Sequence, residues 1–191
     1  TMKKNNLAAK TISPAPSTSS TMLTKPVTDA SAWRPSDFKS DKSFIVNWPK
    51  AGLAELDAAV KIAKQKGAKA DTMTQAEFPL PTMGDWLKTQ RQEVEYGRGF
   101  VLLRGIEVAR YSEEEMCLMF SGIGTHLGKG LHQNSKGHRL GHVKDEGYAD
   151  YRGRSDIRGY QTRASLEFHT DVVDIVGLMC LQTAKEGGQS L

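Results

Sequence analysis

The stretch from Ser165 to Leu181 most constrains the fold of this chain, because it joins two side chains of types that can bind metals to a largely apolar run. His169 and Asp171 are separated by one residue, and the run from Val172 to Leu181 follows directly. Such a run predicts a buried strand. Residues two apart in a strand point to the same face, so the imidazole and the carboxylate would converge. Together they would supply two of the three ligands of a facial site for non-haem Fe(II), although the spacing alone is only a hypothesis.

Three segments carry a wider similarity. They are Phe168-His169-Thr170-Asp171 with the apolar run after it, Ala184-Lys185-Glu186-Gly187-Gly188-Gln189-Ser190, and Gly99-Phe100-Val101-Leu102-Leu103-Arg104-Gly105-Ile106. These segments resemble the taurine-dioxygenase-like (TauD/TfdA) family of Fe(II)- and 2-oxoglutarate-dependent oxygenases. The resemblance covers residues 79–191 and is most specific between Phe168 and Ser190.

The resemblance implies both a fold and a chemistry. The implied fold is α+β, a partial double-stranded β-helix (jelly roll) with flanking helices. The implied cofactors are Fe(II), held by His169 and Asp171, and 2-oxoglutarate, held in part by Ser190, which stands where Thr is commoner. The implied reaction is a hydroxylation-type oxidation of an unidentified small molecule. A competing interpretation is a non-catalytic binding or interaction module built on a partial jelly roll.

The chain departs from the family pattern in one respect. In the family, a second His and an Arg that binds 2-oxoglutarate lie well downstream of the His-x-Asp pair. We expect residues 32–191 to be the N-terminal portion of such a domain, truncated before that His and Arg and inactive by itself. An open sheet edge would then favour self-association. The other four histidines all precede His169, and we interpret them as loop, surface or supporting groups: His126, His132, His138 and His142.

The net charge of +4 arises in the N-terminal tail. Four of the 26 basic residues lie in residues 1–28, which contain no acid, so the remaining 22 balance the 22 acidic residues. The folded part therefore lacks the excess of positive charge expected of a nucleic-acid binder acting through a basic face. We predict that residues 1–31 form a disordered tail in a cytoplasmic protein without a membrane span; organelle import is the open alternative. Cys117 and Cys180 are expected to be buried thiols.

Periodicity and turn residues predict the remaining elements. The elements are a strand at 43–47, a helix at 53–66 ending at Gly67, a helix at 83–96, a strand at 100–104, a helix from the Ser112 capping box to about 127, and a strand at 140–143. Thr82 is the predicted N-cap of the second helix, with Asp85 at the capping-box site. Residues 144–164 read as a long loop, in which Tyr148–Arg154 either contacts substrate or is simply solvated.

Overall fold

The computed structural model describes residues 24–134 and 136–186, so most of the predicted tail and Ser190 lie outside the described residues. The elements are three helices and two short strands: β1 (Ile45–Asn47), α1 (Lys50–Gln65), α2 (Met83–Tyr96), β2 (Leu102–Arg104) and α3 (Glu113–Leu127). The strands β1 and β2 pair in parallel. The described part thus contains both helix and sheet. None of its helices has the length and apolar character needed to cross a bilayer.

Helix α1 begins three residues before its predicted start and ends in a Schellman motif. The N–H of Gly67 donates to the carbonyl of Lys64, and the N–H of Ala68 donates to that of Ala63, each at 3.0 Å. Gly67 has a φ of +62°, the left-handed conformation that glycine adopts without steric cost. The predicted role of Gly67 as the helix stop is therefore confirmed.

Helix α2 has its predicted bounds, and Thr82 occupies the N-cap position as predicted, but the expected capping hydrogen bonds are absent. Thr82 adopts an α-helical backbone conformation, and its side chain makes no capping hydrogen bond. The carboxylate of Glu55, on α1, instead accepts the N–H of Met83 at 2.8 Å and that of Thr82 at 3.1 Å. Asp85 binds Lys88 at 2.7 Å. An acid from a neighbouring helix thus satisfies the free amides at the start of α2.

Helix α3 starts with the predicted capping box. Ser112 accepts the N–H of Glu115 at 3.2 Å, and the Glu115 carboxylate accepts the N–H of Ser112 at 2.9 Å. The helix buries Met116 and Met119 in the core. The buried residues of that core come from the three helices and their flanking segments: Trp48, Leu56, Ala59, Val60, Ala63, Ala68, Met73, Phe78, Leu80, Met83, Leu87, Met116, Leu118, Met119 and Ile123.

Two further contacts hold α3 and the segment before it in place. The ring of Phe78, which is fully buried, occupies the space that a Cβ on Gly122 would need. The phenol of Tyr111 donates a hydrogen bond to Asp57 on α1, and Arg110 donates to the same carboxylate at 2.9 Å. Burial, followed by the bond to Asp57, raises the pKa of Tyr111 to about 12. The neutral phenol is therefore the form that the fold favours.

The two-stranded sheet is shorter and more exposed than predicted. Residues 45–47 and 102–104 form it, and Leu103 packs on the helical core whereas Leu102 is exposed. An edge-to-face aromatic cluster covers one end of the sheet; its rings are Trp33, Phe38, Phe44 and Phe100. Among the aromatic residues of 32–50, Trp48 is buried in the core, whereas Trp33, Phe38 and Phe44 pack on one another and on Phe100.

Three predictions for the C-terminal third are wrong. Residues 140–143 and 172–181, all within the described part, are irregular rather than strand. A strand depends on ladder hydrogen bonds, and the described part of the chain places no partner beside either segment. Cys180 is exposed rather than buried, and Cys117 is half-buried. The jelly roll therefore stays an expectation, because the described residues form one two-stranded sheet.

Candidate metal centre

The segment that carries His169 and Asp171 lies on the surface of the helical core. Phe168, Val172 and Leu178 are 87%, 97% and 83% exposed. The later part of the segment nevertheless contacts the helices. Met179 packs against the core, and Gly177 lies beside the ring of Phe120 on α3, so that a Cβ added at Gly177 would lie 3.5 Å from the Cζ of that ring. The ligand pair is thus carried by a surface segment whose later part rests on a helix.

The imidazole of His169 makes one hydrogen bond, which selects its tautomer. Its Nδ1 lies 2.8 Å from the backbone carbonyl of Glu167. A carbonyl only accepts hydrogen bonds, so Nδ1 must carry the proton and donate it. In the neutral ring this leaves the lone pair on Nε2. Metal-binding histidines commonly have this arrangement, in which a backbone carbonyl orients the ring and the other nitrogen coordinates.

The other predicted site residues are less constrained. Asp171 is exposed, as is His169, and Ser190 lies outside the described residues. Among residues 24–134 and 136–186, no cluster of three or more His, Cys, Asp or Glu side chains is placed to hold a metal ion. His169 therefore offers a suitable imidazole, and Asp171 offers a carboxylate two positions later in the sequence. The described residues do not bring a third ligand to this pair.

Three of the remaining histidines have other partners. The Nε2 of His126 lies 2.9 Å from the carbonyl of Phe78, between α2 and α3. His138 Nδ1 lies 3.1 Å from the amide of Asn134, and His142 Nδ1 lies 3.5 Å from the Glu113 carboxylate. These contacts agree with the interpretation of these histidines as supporting groups.

Sequence reasoning missed one participant, the carbonyl of Glu167. A backbone acceptor leaves no signal in side-chain chemistry, so only the chain geometry reveals it. The charge of Asp174, five residues after His169, acts on Arg91 of α2. Glu95 is the main cause of the raised pKa of Arg91, and the charge of Asp174 adds to it.

The profile of the family described as taurine catabolism dioxygenase TauD, TfdA matches residues 63–191, which is more than half of the chain. The chain belongs to this family. The resemblance based on the His-x-Asp segment is thus confirmed, and the match begins earlier in the chain than residue 79. It includes α2, α3 and the candidate metal centre.

Two individual relatives support the assignment. An FR-33289 synthase of Streptomyces rubellomurinus is 30% identical over 168 residues, which are 88% of this chain and 49% of that protein. A taurine hydroxylase-like protein, SAT17, of Stachybotrys chartarum is 32% identical over 169 residues, which are 85% of this chain and 44% of that protein. The chain spans about half the length of these relatives.

Proposed function

We propose that this chain belongs to an Fe(II)- and 2-oxoglutarate-dependent dioxygenase that oxidises a small molecule. Family membership supports the class of chemistry. The observation that carries the proposal is the hydrogen bond from His169 Nδ1 to the Glu167 carbonyl, because it leaves Nε2 free to coordinate. The name of one relative, a taurine hydroxylase-like protein, agrees with an oxidative enzyme acting on a small molecule.

His169 and Asp171 would hold the iron, and Ser190 would hold 2-oxoglutarate. An imidazole together with a carboxylate suits Fe(II) and leaves coordination positions open for other ligands. When bound, the iron would supply O₂ activation: one oxygen atom enters the substrate C–H bond, and the other enters succinate as 2-oxoglutarate loses CO₂. The part of this chain is to orient the imidazole, to supply the anionic carboxylate and to hydrogen-bond the cosubstrate.

Residues 1–191 by themselves should hold the metal weakly. A facial triad has three protein ligands, and the described residues present no three-membered cluster. Loss of even an outer hydrogen bond typically lowers metal affinity about 10–100-fold. We therefore propose that the 191-residue chain by itself does not turn over 2-oxoglutarate.

The exposed apolar side chains of the same segment support a second proposal, self-association. Phe168, Val172, Val176 and Leu178 are all largely exposed on this one segment, and exposed apolar surface favours burial against another molecule. Sedimentation of the purified chain tests this directly. A monomer that stays soluble at high concentration would refute it.

Metal binding tests the ligand assignment without requiring turnover. Anaerobic titration of the chain with Fe(II), or with Co(II) as a spectroscopic probe, should show weak binding that His169→Ala and Asp171→Ala each abolish. His132→Ala is the matched control, because His132 is an exposed loop histidine, and it should leave binding unchanged. Equal loss in all three variants, or binding that survives in both ligand variants, would refute the assignment. In any form of the protein that decarboxylates 2-oxoglutarate, Asp171→Ala should abolish that activity.

A further inference from the structure

Residues 138–166, here called the loop lobe, form a small packed unit beside the helices. Three backbone pairings join its two halves: Lys144 N–H to the Tyr160 carbonyl (3.1 Å), Glu146 N–H to the Gln161 carbonyl (2.9 Å), and a parallel bridge between Tyr148 and Thr162. Ile157 is buried within the lobe, with 4% exposure, apart from the main core cluster. The lobe thus has internal hydrogen bonds and a buried residue of its own.

Asp71 connects the loop lobe to the helical core. It lies on a 3₁₀ turn, Ala70–Thr72, which packs against α3. Its Oδ1 accepts the backbone N–H of Arg139 at 2.7 Å and that of Leu140 at 3.2 Å. Two amides at the start of the lobe are therefore fastened to one carboxylate that lies 68 positions earlier in the sequence.

The charge state of Asp71 strengthens this connection. Partial burial opposes ionisation, but the donors Arg139 and Leu140, with the charges of His138 and Arg139, leave the pKa of Asp71 below its ordinary value. The carboxylate is therefore ionised at neutral pH, and hydrogen bonds to an ionised acceptor are roughly twice as strong as neutral ones. A second contact, between His142 and Glu113 at 3.5 Å, is solvent-exposed and contributes little.

The far end of the loop lobe leads directly to the candidate metal centre. The side chain of Leu166 packs over Gly159, in the space that a Cβ there would occupy. Leu166 precedes His169 by three residues. The position of the lobe on the core therefore sets the point from which the chain enters the His169 segment.

We infer that Asp71 is a positioning residue, which latches the loop lobe to the α3 side of the core and so places His169. The latch itself follows from the contacts of Asp71, whereas its relevance to His169 rests on the proposed function. The sequence alone does not mark Asp71, since a single acid in a loop carries no distinctive sequence pattern.

Hydrogen–deuterium exchange of the 191-residue chain tests the latch. In Asp71→Ala, peptides covering residues 144–162 should exchange roughly tenfold or more faster, the factor expected for losing hydrogen bonds to a charged acceptor, while α1 and α3 keep their rates. Asp71→Asn keeps an oxygen acceptor but loses the charge, so its exchange should be faster than in the wild type and slower than in Asp71→Ala. Asp85→Ala is the matched control, because Asp85 is an exposed acid bound to Lys88 on α2, and it should change neither region.

Two results would overturn the latch: wild-type exchange at 144–162 in Asp71→Ala, or equal acceleration throughout α1 and α3. If Asp71→Ala does not fold, tryptic cleavage after Arg152 in Asp71→Asn gives the same comparison, and an unchanged cleavage rate in that variant would count against the latch. The placement of His169 is read from its imidazole NMR signal, which should shift in Asp71→Ala and not in Asp85→Ala. A stationary signal would overturn the positioning role. Failure of His169 to bind metal would refute the proposed function and leave the latch intact.

Discussion

The start of helix α2 gives the sharpest test of the fold, because local sequence and tertiary structure assign its cap to different residues. The sequence rule selects Thr82, whereas the structure places the Glu55 carboxylate on the N–H groups of Thr82 and Met83. We therefore predict that Glu55→Ala destabilises the protein and that Thr82→Ala scarcely does.

The magnitude follows from the two hydrogen bonds. A hydrogen bond to a charged group contributes about 1.5–3 kcal/mol, and the two donors here share mainly one oxygen of a half-exposed side chain. We expect Glu55→Ala to lower the free energy of unfolding by about 2 kcal/mol, which corresponds to a fall in Tm of about 4–8 °C for a chain of this length. Thr82→Ala should cost less than about 0.5 kcal/mol, as for an ordinary surface substitution.

Thermal unfolding followed by circular dichroism measures both variants. Glu55→Gln keeps an oxygen acceptor without the charge and should lie between Glu55→Ala and wild type. Asp85→Ala, the acid that the sequence rule pairs with Thr82, should behave as Thr82→Ala does. If Thr82→Ala proves more destabilising than Glu55→Ala, the local cap operates and the tertiary cap does not.

Three further predictions follow from single contacts. Gly122→Ala should cost about 1–3 kcal/mol in a urea unfolding experiment, because the new Cβ would overlap the ring of Phe78, whereas Gly124→Ala, with open space around it, should be neutral or slightly stabilising. The pKa of Tyr111 is raised from 10.0 to about 12 in the folded protein, so the stability that its hydroxyl contributes is present below pH 10 and is lost as the pH rises towards 12. Tyr111→Phe should lack this alkaline loss when the free energy of unfolding of both proteins is measured across that range. Parallel pH profiles of the two proteins would contradict the prediction. In any catalytically active form, Ser190→Ala should raise the KM for 2-oxoglutarate roughly tenfold or more, and unchanged steady-state constants would show that Ser190 points elsewhere.

Local patterns predicted the helices well and the tertiary contacts poorly. The bounds of α2 and the Ser112 capping box depend on residues a few positions apart, and both predictions were confirmed. Glu55 caps α2 from 27 positions away, and Asp71 acts 68 positions away, so no local window contains either interaction. Residues 172–181 have the composition of a buried strand, yet burial and pairing depend on neighbours that the described residues do not provide.

The candidate site likewise has one feature that the sequence predicted and one that it did not. The three segments that carry the resemblance were enough to indicate the family, because residue identity carries that signal. The tautomer of His169 was not predictable, since it depends on where the carbonyl of Glu167 points. Whether His169 and Asp171 are iron ligands stays a prediction, with metal titration as its measurement.

The order of the core residues along the chain has a consequence for synthesis on the ribosome. Every buried member of the core cluster lies between Trp48 and Ile123, so the cluster is translated before His169. At about 5–20 residues per second, ribosomes need roughly 2–9 seconds to move from Ile123 to His169, whereas helices form within about a microsecond. The helical core therefore has time to fold during translation, and the nascent segment that carries His169 and Asp171 would emerge beside a surface that already exists.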